Sequence, residues 1–333
     1  MNLKRRWLIK FAAFLALGVA SSTDLAWSAG NEEPTEITIA LASNSMALGG
    51  VRIAEQAHLF ERHGIEAHIV VMENANSSIA ALISGSAQFA NSGPDDALFA
   101  MARGQPITII AELYKGLSAF VVVSTEIAEK SGVKPDGPIE DRLRALDGVT
   151  MAVPSATTVL IPLIRGPVES VGGKLNFTYM AQSTMAAALQ SGAISSFFAS
   201  SPNWEPAVAS GKAVLWISAP SGELPKTPPS GTVLSTMRPY AEANPDVVAR
   251  MRAVLEDVGD LIDNDPEQAK AALAKAYPSL SPEVLDSVFE QNSPNWRTPK
   301  YTEDDMRTHI KLATEGGAKD FGKVDPAIAV LKW

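Results

Sequence analysis

A stretch of sequence that occurs twice, with its neighbours in the same order, confines this chain to a fold of two like halves. Glu36-Ile37-Thr38-Ile39-Ala40-Leu41-Ala42-Ser43 is a short apolar run entering a polar loop, and it returns 112 positions later as Gly148-Val149-Thr150-Met151-Ala152-Val153-Pro154-Ser155. A helix-like stretch follows each, Val51 to His63 and Val159 to Val171, and each stretch meets glycine, a residue that tolerates the positive φ of a helix C-cap. Ile65–Met72 then corresponds to Gly173–Met180, and Ala81-Leu82-Ile83-Ser84-Gly85 to Ala188-Leu189-Gln190-Ser191-Gly192. Gly104-Gln105 and Gly211-Lys212 open two further apolar runs, Ile107–Ala111 and Ala213–Ser218.

Strands alternating with helices in this way predict an α/β fold, two similar lobes with mixed, mainly parallel sheets covered by helices on both faces. Right-handed crossovers gather the strand-to-helix loops at one edge of each sheet, the edge where open α/β sheets take ligands. Two such edges facing each other enclose a ligand cleft between the lobes. Beyond Pro220 the pattern changes. Ser221–Gly231 is rich in Pro, Gly and Ser, and Thr232–Thr236 is a short strand expected to return to the first lobe. The remainder predicts helices starting at Asn244-Pro245, Asp265-Pro266-Glu267, Ser281-Pro282-Glu283 and near Thr302.

The first 29 residues stand outside this fold. Lys4, Arg5, Arg6 and Lys10 precede the apolar run Phe11–Ala20, which is about half a membrane span, and small residues follow around Ala26 to Gly30. This predicts a signal peptide cleaved near residues 28–30 and a periplasmic protein. Arg5-Arg6 leaves both a twin-arginine and an ordinary export signal open. The chain has no cysteine, which excludes disulfides, thiolate metal sites and a lipid-anchored N-terminus. Losing the leader takes the formal charge from −9 to −12, and an acidic surface argues against nucleic acid and anionic membranes as partners.

Several stretches resemble the nitrate/sulfonate/taurine branch of the periplasmic solute-binding proteins, which also includes binders of thiamine-pyrimidine precursors. These are Ala80–Phe89, Leu146–Val153, Trp204-Glu205-Pro206 and Asp265-Pro266-Glu267-Gln268-Ala269, within a likeness running from 36 to about 325. The resemblance implies a type II binding-protein fold closing about a hinge. Lobe 1 would be 30–124 plus 225–333 with the C-terminal helices, and lobe 2 would be 125–224. The crossings are expected near Val123–Glu126 and Gly222–Thr232. It further implies a monomer that captures a small molecule for an ABC permease and ATPase complex, with no cofactor and no enzymatic activity.

Five loops are expected at the cleft. Their candidate ligand-binding residues are Ser43, Asn44 and Ser45; Ser77 and Ser78; Gly93, Pro94 and Asp95; Ser155, Thr157 and Thr158; and Asn203 and Trp204. All five loops hold Ser, Thr or Asn just before a helix, which helix capping alone would favour. Exposed N–H groups at helix starts also make anion sites, and several starts converging on one cleft favour binding. The loops contain no Arg or Lys, so they suit a small organic anion held by neutral donors, a sulfonate, nitrate or aromatic acid. The alternative is a neutral heteroaromatic such as a thiamine-pyrimidine precursor, and a ligand-presenting partner of a sensor fits equally. Against an exported hydrolase, Ser131-Gly132-Val133-Lys134 lacks the companion motifs of serine–lysine enzymes. His58, His63 and His68 lie five apart, about 140° around a helix, whereas helical metal ligands sit at i, i+4.

Overall fold

A computed structural model describes residues 33–72, 74–154, 160–224, 228–315 and 321–333. Ten strands fall into two five-stranded sheets. β1 (Thr35–Leu41), β2 (Ile65–Val71), β3 (Phe89–Ser92), β4 (Ile107–Lys115) and β10 (Ser230–Met237) form the first, in the order β2-β1-β3-β10-β4. The second holds β5 (Phe120–Ser124), β6 (Thr150–Val153), β7 (Asn176–Tyr179), β8 (Ser196–Ala199) and β9 (Ala213–Ser218), in the order β7-β6-β8-β5-β9. The two orders are the same pattern. In each sheet three strands run parallel, and one antiparallel strand separates the third from the fifth. The sequence echo is this shared topology.

The first lobe carries α1 (Gly49–Gln56), α2 (Leu59–Arg62), α3 (Ala75–Ser84) and α4 (Pro94–Ala102). The expected single helix over 51–63 is broken at His58, whose φ is +56°. The second lobe carries α5 (Thr125–Ser131), α6 (Ile139–Arg144), α7 (Leu160–Ser170), α8 (Gln182–Gln190) and α9 (Glu205–Ala209). After β10 come α10 (Arg238–Ala243), α11 (Pro245–Asn264), α12 (Pro266–Ala276), α13 (Pro282–Asn292), α14 (Glu303–Glu315) and α15 (Pro326–Ala329). Asp265 and Ser281 cap α12 and α13 with their side chains, and Thr302 and Asp305 bond each other reciprocally at the start of α14. Val248, Met251, Val254, Leu255 and Val258 turn one face of α11 into the core of the first lobe.

The first crossing lies earlier than expected. Phe120–Ser124 is not the end of the first lobe but the antiparallel strand of the second sheet, buried between β8 and β9. The chain leaves β4 at Lys115 and turns at Gly116, with φ at +70°. The return strand runs beside this turn: Gly116 N–H donates to Pro229 O at 2.8 Å, and Gly116 bridges Ser230.

Candidate functional site

In each sheet three parallel strands end at the same edge, so the loops after β1, β2 and β3, and after β6, β7 and β8, are gathered there. The two edges meet. Met46 N–H, in the loop after β1, donates to Ser201 O, in the loop after β8, at 3.2 Å. Trp296 Nε1 donates to Met46 O at 3.2 Å and the Tyr277 hydroxyl to Ser45 O at 3.2 Å, fixing the first loop from the C-terminal helices. Asn91 fixes it from beneath: its Oδ1 accepts Ala42 N–H at 2.6 Å and its Nδ2 donates to Thr232 Oγ1 at 2.9 Å.

Ser43 and Asn44 are exposed on this loop and Ser45 is half-buried. Arg52 on α1 reaches Asn44 Oδ1 at 3.1 Å while paired with Glu55 at 3.0 Å, which brings a guanidinium behind a loop that itself holds no cation. Asn74 Oδ1 accepts Ser77 N–H at 3.0 Å, so the helix start at α3 is capped by the residue before it, with Ser77 half-buried. Ser78 is a correction. It is fully buried, and its hydroxyl faces the carbonyls of Ala40 and Asn91 at 2.9 and 2.8 Å, tying β1 to β3 rather than lining a cleft.

At α4, Gly93 N–H donates to Asp96 Oδ2 at 3.2 Å. Pro94 is buried as well, which removes it from a ligand-facing role. Asp95 keeps an exposed carboxylate, 3.4 Å from Nδ1 of the buried His309, whose Nε2 faces Ser230 O at 3.0 Å. Burial holds the Asp96 carboxyl above its ordinary value.

In the second lobe, Ser155, Thr157 and Thr158 lie outside the described residues. Gln182 opens α8, and its Oε1 accepts Ser200 N–H at 2.7 Å, shaping the loop after β8. Asn203 is half-buried and donates to Ser200 O at 3.1 Å. Trp204, expected at the cleft, is only 2% exposed and its ring packs on Phe120 with centroids 5.1 Å apart, so it belongs to the lobe's core. Its Nε1 donates to Ser201 Oγ at 3.0 Å.

The structure adds Asn292, which local pattern does not single out, and gathers Ser201, Glu205 and Tyr114 around it, all buried where the lobes meet. Asn292 Nδ2 donates to Ser201 Oγ at 3.2 Å, and the Tyr114 hydroxyl donates to Asn292 Oδ1 at 2.9 Å. Asn292 follows Ser201 by 91 positions, so no spacing rule connects them. Burial pushes the Glu205 carboxyl up to about 7. The Ser131 hydroxyl donates to Ala128 O at 2.8 Å and accepts Val133 N–H at 3.1 Å, the bonds of an ordinary helix end. His58 and His63 face Glu61 and Asp257 separately, each at 3.0 Å.

The family model described as NMT1/THI5 like matches residues 46–269. No curated protein matches the sequence. Solved structures do resemble it. The periplasmic aliphatic sulphonate binding protein SsuA from Escherichia coli superposes with a TM-score of 0.66 at 20% identity, covering 85% of this chain and 91% of that one. The alkanesulfonate-binding protein SsuA from Xanthomonas axonopodis pv. citri bound to MOPS gives 0.65 at 19% identity, with 91% and 100% covered. The periplasmic nitrate-binding protein NrtA from Synechocystis PCC 6803 gives 0.57 at 15% identity, with 87% and 85% covered. At these identities the likeness shows the fold, that of the periplasmic binding proteins.

Proposed function

The chain belongs to the NMT1/THI5 like family, and from that premise we propose that it is an exported solute-binding protein that captures a small organic anion between its lobes and delivers it to an ABC importer. The observation that carries this reading is the meeting of two like sheet edges at Met46 and Ser201, each edge built from loops rich in Ser, Asn and Gln. Ligands of open α/β sheets bind outside the C-terminal ends of the strands, and two apposed ends enclose a ligand from both sides.

Charge favours an anion. The first turns of α1, α3 and α8 carry no acidic residue, so no carboxylate offsets their positive ends. Arg52 adds a guanidinium behind Asn44. The α4 start differs, with Asp95 and Asp96 in its first turn, so the anion belongs at the α1–α3 side. On this reading Ser43, Asn44, Ser45 and Ser77 supply donors from one lobe and Asn203 from the other. The named relatives bind sulfonates and nitrate, which fits the same ligand class. Asp95, exposed at the opposite side, supports the second reading, a neutral heteroaromatic whose ring N–H or amine would donate to it.

The test is a thermal-shift screen of the mature, ligand-stripped protein against alkanesulfonates, nitrate, aromatic acids and aminopyrimidines. A ligand at a hundredfold excess over its Kd adds about 2.7 kcal/mol, which raises the midpoint by roughly 5 °C or more. A hit among the anions supports the first reading. A hit confined to aminopyrimidines replaces it with the second, and no hit in any class counts against both.

A further inference from the structure

The buried polar groups between the lobes converge on one carboxyl. Glu205 opens α9, and α9 packs against α13, which belongs to the other lobe. The Ser201 hydroxyl donates to Glu205 Oε1, leaving both oxygen lone pairs to accept from Trp204 Nε1 at 3.0 Å and Asn292 Nδ2 at 3.2 Å. Asn292 spends its second amide hydrogen on Val288 O at 2.8 Å, and its Oδ1 accepts from Tyr114 at 2.9 Å and Ser118 at 3.4 Å. Ser118 lies on the first crossing and Tyr114 near the end of β4. The bonds therefore run from the hinge and the C-terminal helices of one lobe into α9 of the other, and they end on Glu205.

That end is incomplete. Glu205 Oε2 is buried with no hydrogen-bond partner, and Glu205 takes part in no ion pair among the described residues. Tyr114, from β4, is the ionisable group facing it, and burial holds that phenol well above its ordinary value, so it stays neutral. On α9, α13 and the loop after β8 its other neighbours are uncharged. The Ser201 hydroxyl and the backbone N–H groups of Glu205 and Trp204 oppose the carboxyl's rise without cancelling it, and Trp204 Nε1 and Asn292 reach it through Ser201. An ionised carboxylate here has one oxygen bare in an interface without a cation, a costly arrangement. Parting the lobes would admit water to it; protonation would remove the charge instead.

We propose that Ser201, Glu205 and Asn292 form a proton-operated latch between the lobes, holding them together while Glu205 is neutral and favouring their separation when it ionises. This rests on reading the lobes as a hinged binder. Closure then takes up a proton. Between the ordinary carboxyl value of 4.5 and the value of about 7 in the closed state, the closing constant falls by up to tenfold per pH unit.

The chain has no cysteine of its own, so Glu66→Cys on β2 and Asn176→Cys on β7, both exposed on the outer strands of the two sheets, take one spin label each. Label-to-label distances in the ligand-free protein are then measured by double electron–electron resonance from pH 5 to pH 8. The short-distance population should dominate at pH 5 and give way to a longer one by pH 8. Glu205→Gln should hold the short distance throughout. Asn292→Ala, which cuts the bridge and keeps the carboxyl, should populate the long distance already at pH 5, and it decides the matter if the Glu205 variant does not fold. A wild-type distribution that does not move with pH, or a Glu205→Gln series that follows the wild type, overturns the latch. Neither result bears on ligand capture, which the thermal screen tests by itself.

Discussion

At the scale of single residues, Glu112 shares the predicament of Glu205 without the same exit. It lies on β4 inside the first lobe, where burial pushes its carboxyl up to about 7; the Ser230 hydroxyl opposes the rise, Asp305 adds to it and Lys115 opposes it. A carboxyl with a folded value above its unfolded 4.5 binds its proton more tightly when folded. The folded state thus holds more protons between about 4.5 and about 7, and stability must fall as pH rises through that window and level off above it. The full shift corresponds to about 3 kcal/mol. Urea unfolding of the wild type should show its midpoint dropping from pH 5 to pH 7.5, and Glu112→Gln should drop less while matching or exceeding the wild type at pH 7.5. Equal slopes for the two proteins would sink the assignment. Such burial is hard to see in sequence. The Ser-, Thr- and Asn-rich loops are legible as helix starts, but whether a hydroxyl faces outward or inward turns on about 100° of helix rotation between neighbours. Ser77 and Ser78 differ in that way, one half-buried and the other sealed beneath two carbonyls. Glu205 is legible as a first-turn acid, yet its burial depends on Asn292 and Tyr114, which reach it only through the fold.

At the scale of elements, the repeat predicts β1, β2 and β4 and their counterparts β6, β7 and β9, because each copy keeps these apolar runs and glycine turns. It is silent about the short strands β3 and β8 and about the antiparallel strand of each sheet. β5 and β10 have no counterpart in the repeating order, since each comes from the chain as it passes between lobes, and an all-buried run such as Phe120–Val123 has no alternation to mark its lobe. The bridge between the Gly116 turn and Ser230, at the start of β10, holds the two crossing segments side by side rather than as two loose linkers. Gly231 is the tight point there. A Cβ on it would strike the Gly116 carbonyl oxygen and lie 3.3 Å from Leu117 Cα, and backbone on both sides cannot swing aside as a long side chain would. Gly231→Ala should therefore cost roughly 1–3 kcal/mol, the range of overpacking in a close-packed site. The urea midpoint should fall with the denaturant slope unchanged. An alanine variant that unfolds with the wild type would mean that the crossing strands are not held at this separation in solution.

At the scale of the whole molecule, the apolar cores do not join. Three clusters surround the first sheet and the C-terminal helices, and two surround the second sheet; among the described residues none of them spans both lobes. What connects the lobes is two crossing segments, the α9–α13 contact, the Met46–Ser201 backbone bond and the polar network ending on Glu205. Hydrophobic burial drives cooperative folding, so bodies with separate cores and a mainly polar junction are expected to unfold with some independence. Two tryptophans report the two bodies: Trp216 is buried in the core of the second lobe and Trp296 in that of the first. With the remaining tryptophans of the mature chain replaced by phenylalanine, single-tryptophan variants keeping either one can be unfolded in urea without ligand. The Trp216 signal should change at the lower midpoint, because the first lobe also holds the packed helices from α11 to α13. A single coincident transition would mean that the junction couples the lobes into one cooperative unit. A hinge within one such unit would have to move without loosening either core, which confines the motion to Gly116, the Pro229–Gly231 strand and the latch.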